Sequence, residues 1–100
     1  MNISEEIKKI ADHYGYNAQS NQLIEECAEL IQAINKHKRA QGSLKEERYN
    51  IAFDNLLEEI ADVEIMLEQI KHLLEIPEED ILAMKTCKIN RTKERMAQGR

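Results

Sequence analysis

The stretch Leu56-Leu57-Glu58-Glu59-Ile60-Ala61-Asp62-Val63-Glu64-Ile65-Met66-Leu67-Glu68-Gln69-Ile70-Lys71-His72-Leu73-Leu74 contains no glycine, no proline and no strand-like alternation. Its residues Leu56, Ile60, Val63, Leu67, Ile70 and Leu74 are spaced 4, 3, 4, 3 and 4 apart, the rhythm of a helix seam that packs along a neighbour. Met66 and Leu73 form a second apolar flank beside it. The pattern reaches back to residues 44–47 and forward to Glu75, a helix of on the order of 30 residues and roughly 45 Å. A compact 100-residue chain has a radius of gyration of only about 13 Å. Such a helix cannot be covered by its own chain, so the protein is expected to be a homo-oligomer, a dimer or a tetramer, whose helices pair across subunits.

Outward from this stretch, Gly15, Gly42, Pro77 and Gly99 divide the chain into four helical segments. The first, residues 3–14, places Ile3, Ile7, Ile10 and Tyr14 on one stripe and Glu5 and Glu6 in its first turn. Gly15 is expected to end it as a left-handed cap. The second runs from Ser20, read as its N-cap, to Gln41, with Leu23, Cys27, Leu30, Ile31 and Ile34 on its apolar side. The Gly42-Ser43 turn reverses the chain into the third. The fourth opens at Pro77, with Glu78, Glu79 and Asp80 in its first turn, and frays near Gly99. The expected fold is therefore all-α: four helices around a central antiparallel hairpin, one domain over residues 1–100, packed as a helical-bundle oligomer.

Composition agrees with that class. Apolar residues make up 42% of the chain, aromatics only 4%, with no Trp. No apolar run approaches the ~18 residues of a membrane span and no signal-peptide core is visible, so a cytoplasmic protein without a membrane partner is expected. Cys27 and Cys87 are isolated in helical patterns and read as reduced small hydrophobes. The net charge of -5 is unevenly spread. Residues 81–100 hold six basic side chains against the single Glu94, a net +5, and residues 1–80 hold eight basic and eighteen acidic ones, a net -10. An acidic body does not suit nucleic-acid binding. Acids for a metal ion and bases for phosphates do suit a phosphorylated small molecule.

The acids have a pattern. Glu26-x-x-Glu29 and Glu59-x-x-Asp62 lie equidistant from residue 44, so a reversal there brings all four to one height on adjacent antiparallel helices. On helix two Glu26 lies about 60° from Leu23 and Glu29 about 60° further; Glu59 and Asp62 leave the third helix's seam in the same sense. Only antiparallel helices put those flanks on one side. Four carboxylates in one place repel unless a cation holds them. The all-oxygen set favours Mg²⁺, with Mn²⁺ as its substitute, over zinc.

Gln22-Leu23-Ile24-Glu25-Glu26-Cys27-Ala28-Glu29-Leu30, followed by Leu57-Glu58-Glu59-Ile60-Ala61-Asp62-Val63, resembles the E-x-x-E … E-x-x-D pattern of the MazG-type all-α nucleoside triphosphate pyrophosphohydrolases, over nearly the whole chain. The resemblance implies a hydrolase that cleaves a (deoxy)nucleoside triphosphate between its α and β phosphates, giving a monophosphate and pyrophosphate, in nucleotide-pool cleaning. Glu26, Glu29, Glu59 and Asp62 would be its catalytic and metal-binding residues. The chain departs from the pattern in its long stretch between Leu30 and Glu58 and in Cys27, where Gly or Ala is common. Related phosphoribosyl-ATP pyrophosphatases often carry Tyr-His after the Asp, where this chain has Val63-Glu64.

Lys88-Ile89-Asn90-Arg91-Thr92-Lys93-Glu94-Arg95 resembles the basic helix of the same proteins, so Lys85, Lys88, Arg91 and Arg95 are the expected contacts to the triphosphate. Tyr14, Tyr16 and Phe53 are candidates to stack on a base, and Asn21, Gln22, Asn55 and Asn90 to bond its edge; core packing or helix capping is the simpler reading of each. No Gly-rich phosphate loop is present, and His13, His37 and His72 fall outside any Glu-x-x-His motif, against a di-iron bundle. Two other readings remain open: a non-catalytic oligomeric helical adaptor, and a same-fold enzyme acting on phosphoribosyl-ATP or on a pyrimidine nucleotide.

Overall fold

The computed structural model describes residues 1–42 and 45–100. Among them are three α-helices: α1 (Ile3–Gln41), α2 (Glu46–Leu73) and α3 (Glu78–Ala97). No strand occurs among the described residues, so the chain is all-α as expected. Ser43 and the start of the third segment at Leu44 lie outside the described residues.

The first two expected helices are one element. Gly15, at φ 84° and ψ 171°, is the single non-helical residue inside α1, and the helix resumes immediately after it. A glycine can take one such conformation as a kink without ending the helix. Ser20 is accordingly not an N-cap: its hydroxyl donates to the Asn17 carbonyl at 3.2 Å, within the helix. The true start is Asn2, whose side chain accepts from the Glu5 N–H at 3.0 Å. At the end of α2, Glu75 takes φ 53° and the Ile76 N–H bonds the Lys71 carbonyl at 2.9 Å, a Schellman ending before Pro77.

α1 and α2 form the antiparallel hairpin. Asp12 meets His72, Gln19 meets Gln69, Glu29 approaches Glu59 and His37 packs on Tyr49 and Phe53, so rising positions in α1 face falling positions in α2. The contact surface differs from the expected seams. Its buried residues beyond Gly15 are Gln19, Ala33 and Ala40 on α1 against Ala52, Val63, Met66 and Gln69 on α2; before Gly15, Ile7 of the expected stripe and Ala11 are buried, and Val63 belongs to the expected seam. On a helical wheel this face is turned roughly 70–90° from both apolar seams, toward the acids. Ile31, Ile34, Ile60, Leu67 and Leu74 are left exposed, as is Cys27, whereas Met66, assigned to the outer flank, is only 6% exposed. Alanines explain the choice, since small side chains at the crossing let the backbones approach where two rows of Leu and Ile would hold them apart.

α3 stands off. Beyond the Lys71–Glu78 ion pair at its first residue, 2.6 Å long, it packs against neither α1 nor α2 among the described residues, and it buries no side chain. The radius of gyration is consequently 17.3 Å, well above the ~13 Å of a compact chain this size.

Candidate metal centre

The rotation of the hairpin places Glu26 and Glu59 near the middle of the α1–α2 interface, within about 15° of the centre of the buried face on each helix. One carboxylate oxygen from each of Glu26, Glu29 and Glu59 lies within 4.8 Å of the other two. The fourth acid, Asp62, falls outside that trio but lies near enough to feel the Glu26 charge. Three of the four residues singled out in the sequence thus converge, and the fourth, Asp62, stands within reach of the charges of Glu26 and Glu59.

The environment of these carboxylates is unfavourable as it stands. Gln22 Nε2 donates to Glu26 Oε1 at 2.8 Å and fixes that side chain. Glu26 Oε2 and Glu59 Oε2 are buried with no hydrogen-bond partner. Burial, followed by the charges of Glu29, Asp62 and Glu26, pushes the Glu59 carboxyl above its ordinary range. Burial and then the Glu26 charge do the same for Asp62. Buried carboxylate oxygens lose their hydration and need a donor or a cation in its place. No lysine or arginine forms an ion pair with any of the four among the described residues. Oxygens from three or four side chains, with part of the cluster open where Glu29 is exposed, match a hard divalent cation that keeps sites for water and ligand oxygens.

Lys85, Lys88, Arg91 and Arg95 are all exposed on α3, which does not carry them to the acids of its own chain. Of the residues considered for a base, Gln22 is occupied in orienting Glu26. Phe53 stacks with Tyr49 and meets His37 at a tilt, and Tyr14 packs edge-on against His13. The role of Gln22 was readable from its position four residues before Glu26, the spacing at which helix side chains meet. The buried Gln19–Gln69 pair was not readable, because nothing in either residue's local sequence marks a polar contact inside an interface. In comparison with known proteins, no family model, no curated protein and no solved structure matches the chain.

Proposed function

We propose that the chain is a MazG-type, Mg²⁺-dependent nucleoside triphosphate pyrophosphohydrolase of the cytoplasm, cleaving a (deoxy)nucleoside triphosphate to monophosphate and pyrophosphate. The observation that carries this reading is the trio of carboxylate oxygens within 4.8 Å of one another, with Glu26 Oε2 and Glu59 Oε2 buried and unpartnered. Glu26, Glu29 and Glu59 would hold the cation, with Asp62 completing the set; Mn²⁺ has the same oxygen preference. When bound, the ion neutralises phosphate charge and acidifies a water for attack. The chain's own part is geometric. Gln22 orients Glu26, the α1–α2 packing fixes the spacing of the two pairs, and Asp62 beside Glu26 offers an oxygen to receive the proton of the attacking water.

The same reading assembles the chain as a homodimer or homotetramer. It is supported by the outward-facing Ile34, Ile60 and Leu67 and by the uncovered Leu82, Met84, Ile89 and Met96 of α3, large apolar side chains of the kind that gather at interaction surfaces. A partner's α3 is then the natural source of Lys88 and Arg91 at the acidic site. Those exposed faces equally favour a non-catalytic helical adaptor. Pyrophosphate release from a panel of NTPs and dNTPs with Mg²⁺, with EDTA and Glu59→Gln controls, decides between them. Metal-dependent release lost in the variant supports the enzyme; silence across the panel, with no Mg²⁺ uptake by calorimetry, leaves the adaptor.

A further inference from the structure

Two turns from the acids, toward the tip of the hairpin, the helices part into a groove of about 530 Å³. Lys36 and Arg39 of α1 and Arg48 and Asn55 of α2 line it, over a floor that includes Ala40 and Ala52. None of its lining residues is acidic, in a chain that carries nineteen acidic residues. Among the described residues the ion pairs lie elsewhere, at Glu6–Lys9, Lys71–Glu78 and Asp12–His72. Three cations without an acidic partner thus converge on one depression.

Helix electrostatics account for only part of this. Arg39 falls in the last turn of α1, where the dipole favours a cation. Arg48 is the third residue of α2, at the helix end where the dipole opposes a positive side chain and favours an anion. Its placement serves something other than the helix.

The groove also opens on the same side of the hairpin as the acids. Lys36 follows Glu29 by seven residues, which is about 20° around the helix and roughly 10 Å along it. Arg48 precedes Glu59 by eleven residues, again about 20° around, and roughly 16 Å along α2. Long basic side chains close part of those distances. A single small molecule can touch both places.

We propose that this groove is a phosphate-binding subsite, and, resting on the function proposed above, that it holds a phosphate group of the nucleotide remote from the anhydride bound at the acids. The substrate class is then a nucleotide phosphorylated at two separate positions. Arg39 and Arg48 supply paired N–H donors to the phosphate oxygens, Lys36 a point charge, and the N-terminal end of α2 a favourable field.

The test has two arms. Inorganic pyrophosphate is titrated calorimetrically into the protein in EDTA, where the acids hold no metal. One site is expected, weakened on the order of tenfold by Arg48→Gln and by Arg39→Gln, only partly kept by Arg48→Lys, which retains the charge but not the paired donors, and unaffected by Glu59→Gln. No binding, or binding lost in Lys88→Gln and Arg91→Gln but not in the groove variants, overturns the subsite. In the second arm, adenosine 3′,5′-bisphosphate and adenosine 5′-monophosphate are compared with Mg²⁺ present. The bisphosphate is expected to bind on the order of tenfold more tightly, with the advantage lost in Arg48→Gln. Equal affinities overturn the substrate assignment. A protein that passes the pyrophosphate arm but takes up no Mg²⁺ keeps its groove and loses the metal-enzyme reading, so the two failures are separable. Circular dichroism of each variant confirms the fold.

Discussion

Glu26 and Glu59 meet across the α1–α2 interface, each with its Oε2 buried and without a hydrogen-bond partner. Neither position suits a carboxylate in a protein that binds no cation, because each loses hydration and gains a like charge for a neighbour. The close packing of α1 on α2 holds one oxygen of each acid inside the interface, while the cluster stays open to solvent on the side of the exposed Glu29.

The first consequence is a stability that depends on pH in a definite sense. Burial, with neighbouring acids second, raises the folded-state proton affinity of Glu59 and Asp62 above that of the unfolded chain. Between the unfolded and folded values the native state binds more protons, so stability falls as pH rises through that window and levels off above it. Thermal unfolding in EDTA between about pH 4 and 8 should show the midpoint falling from the acidic end, with a flatter slope in Glu59→Gln/Asp62→Asn. Saturating Mg²⁺ should raise the midpoint most at the upper end, where protons no longer compete. A metal-free protein whose midpoint climbs steadily with pH would contradict this account.

Glu59→Gln separates stability from function. The amide keeps the shape, removes one charge from the cluster and gives its neighbours a donor, so the metal-free variant should melt higher than the parent above the carboxylate range. The same change should abolish the rise in melting temperature on adding Mg²⁺ and lower pyrophosphate release on the order of 100-fold or more. A variant destabilised in EDTA would show that Glu59 is a structural residue whose carboxylate finds its partner within the chain.

The acids were legible because chemistry and spacing agreed. Two i,i+3 pairs equidistant from one turn converge only in an antiparallel hairpin, and Glu26, Glu29 and Glu59 do converge, with Asp62 near Glu26. The packing face was not legible. The seam of Leu56, Ile60 and Leu67 is the strongest apolar signal in the chain, yet within one chain Ala33, Ala40 and Ala52 make the crossing. Periodicity records that a face will be buried, not whether the chain itself or a partner covers it. The first helix boundary failed for a local reason, since Gly15 signals a stop and a kink equally well. Lys36 and Arg48 stand in the short charged runs Lys36-His37-Lys38-Arg39 and Lys45-Glu46-Glu47-Arg48, which on their own read as solvated helix ends; only the hairpin places them together.

Gly15 carries a prediction of its own. At φ 84° and ψ 171° it sits in a region open essentially to glycine alone, and a Cβ added there would meet nothing within 4 Å. Any penalty from Gly15→Ala is therefore backbone strain and not a clash, about 1–3 kcal/mol. Urea unfolding should register that loss with an unchanged m-value. A neutral substitution would mean that the two parts of α1 realign into one straight helix.

Gln19 Nε2 donates to Gln69 Oε1 at 2.7 Å inside the hairpin, and Gln69 is only 2% exposed. Gln69 Nε2 also reaches the Met66 sulfur at 3.6 Å. Replacing either glutamine alone by Leu strands a buried amide and should destabilise by about 1–3 kcal/mol. The double replacement should recover most of that loss, because paired apolar groups of similar size leave nothing unsatisfied. A double-mutant cycle by chemical unfolding measures the coupling; strictly additive losses would show that the bond contributes little.

The last prediction concerns the face that the hairpin turns outward. Ile34 is 41% exposed and Leu67 46%, on the two seams that the sequence marks for burial, and α3 leaves Leu82, Met84, Ile89 and Met96 uncovered. Each such side chain, once buried, contributes about 1.5–3 kcal/mol, so covering several of them outweighs the entropy of association in a stable pair. The chain should sediment as a dimer or larger, with a melting temperature that rises with protein concentration. Ile34→Glu and Leu67→Glu place a charge on that face without touching the acids or the groove. Each should shift the sedimentation profile toward monomer and remove the concentration dependence, while Mg²⁺ uptake by the remaining hairpin persists. A parent chain that sediments as a monomer at every concentration and melts cooperatively would show that these seams are left open in the working protein.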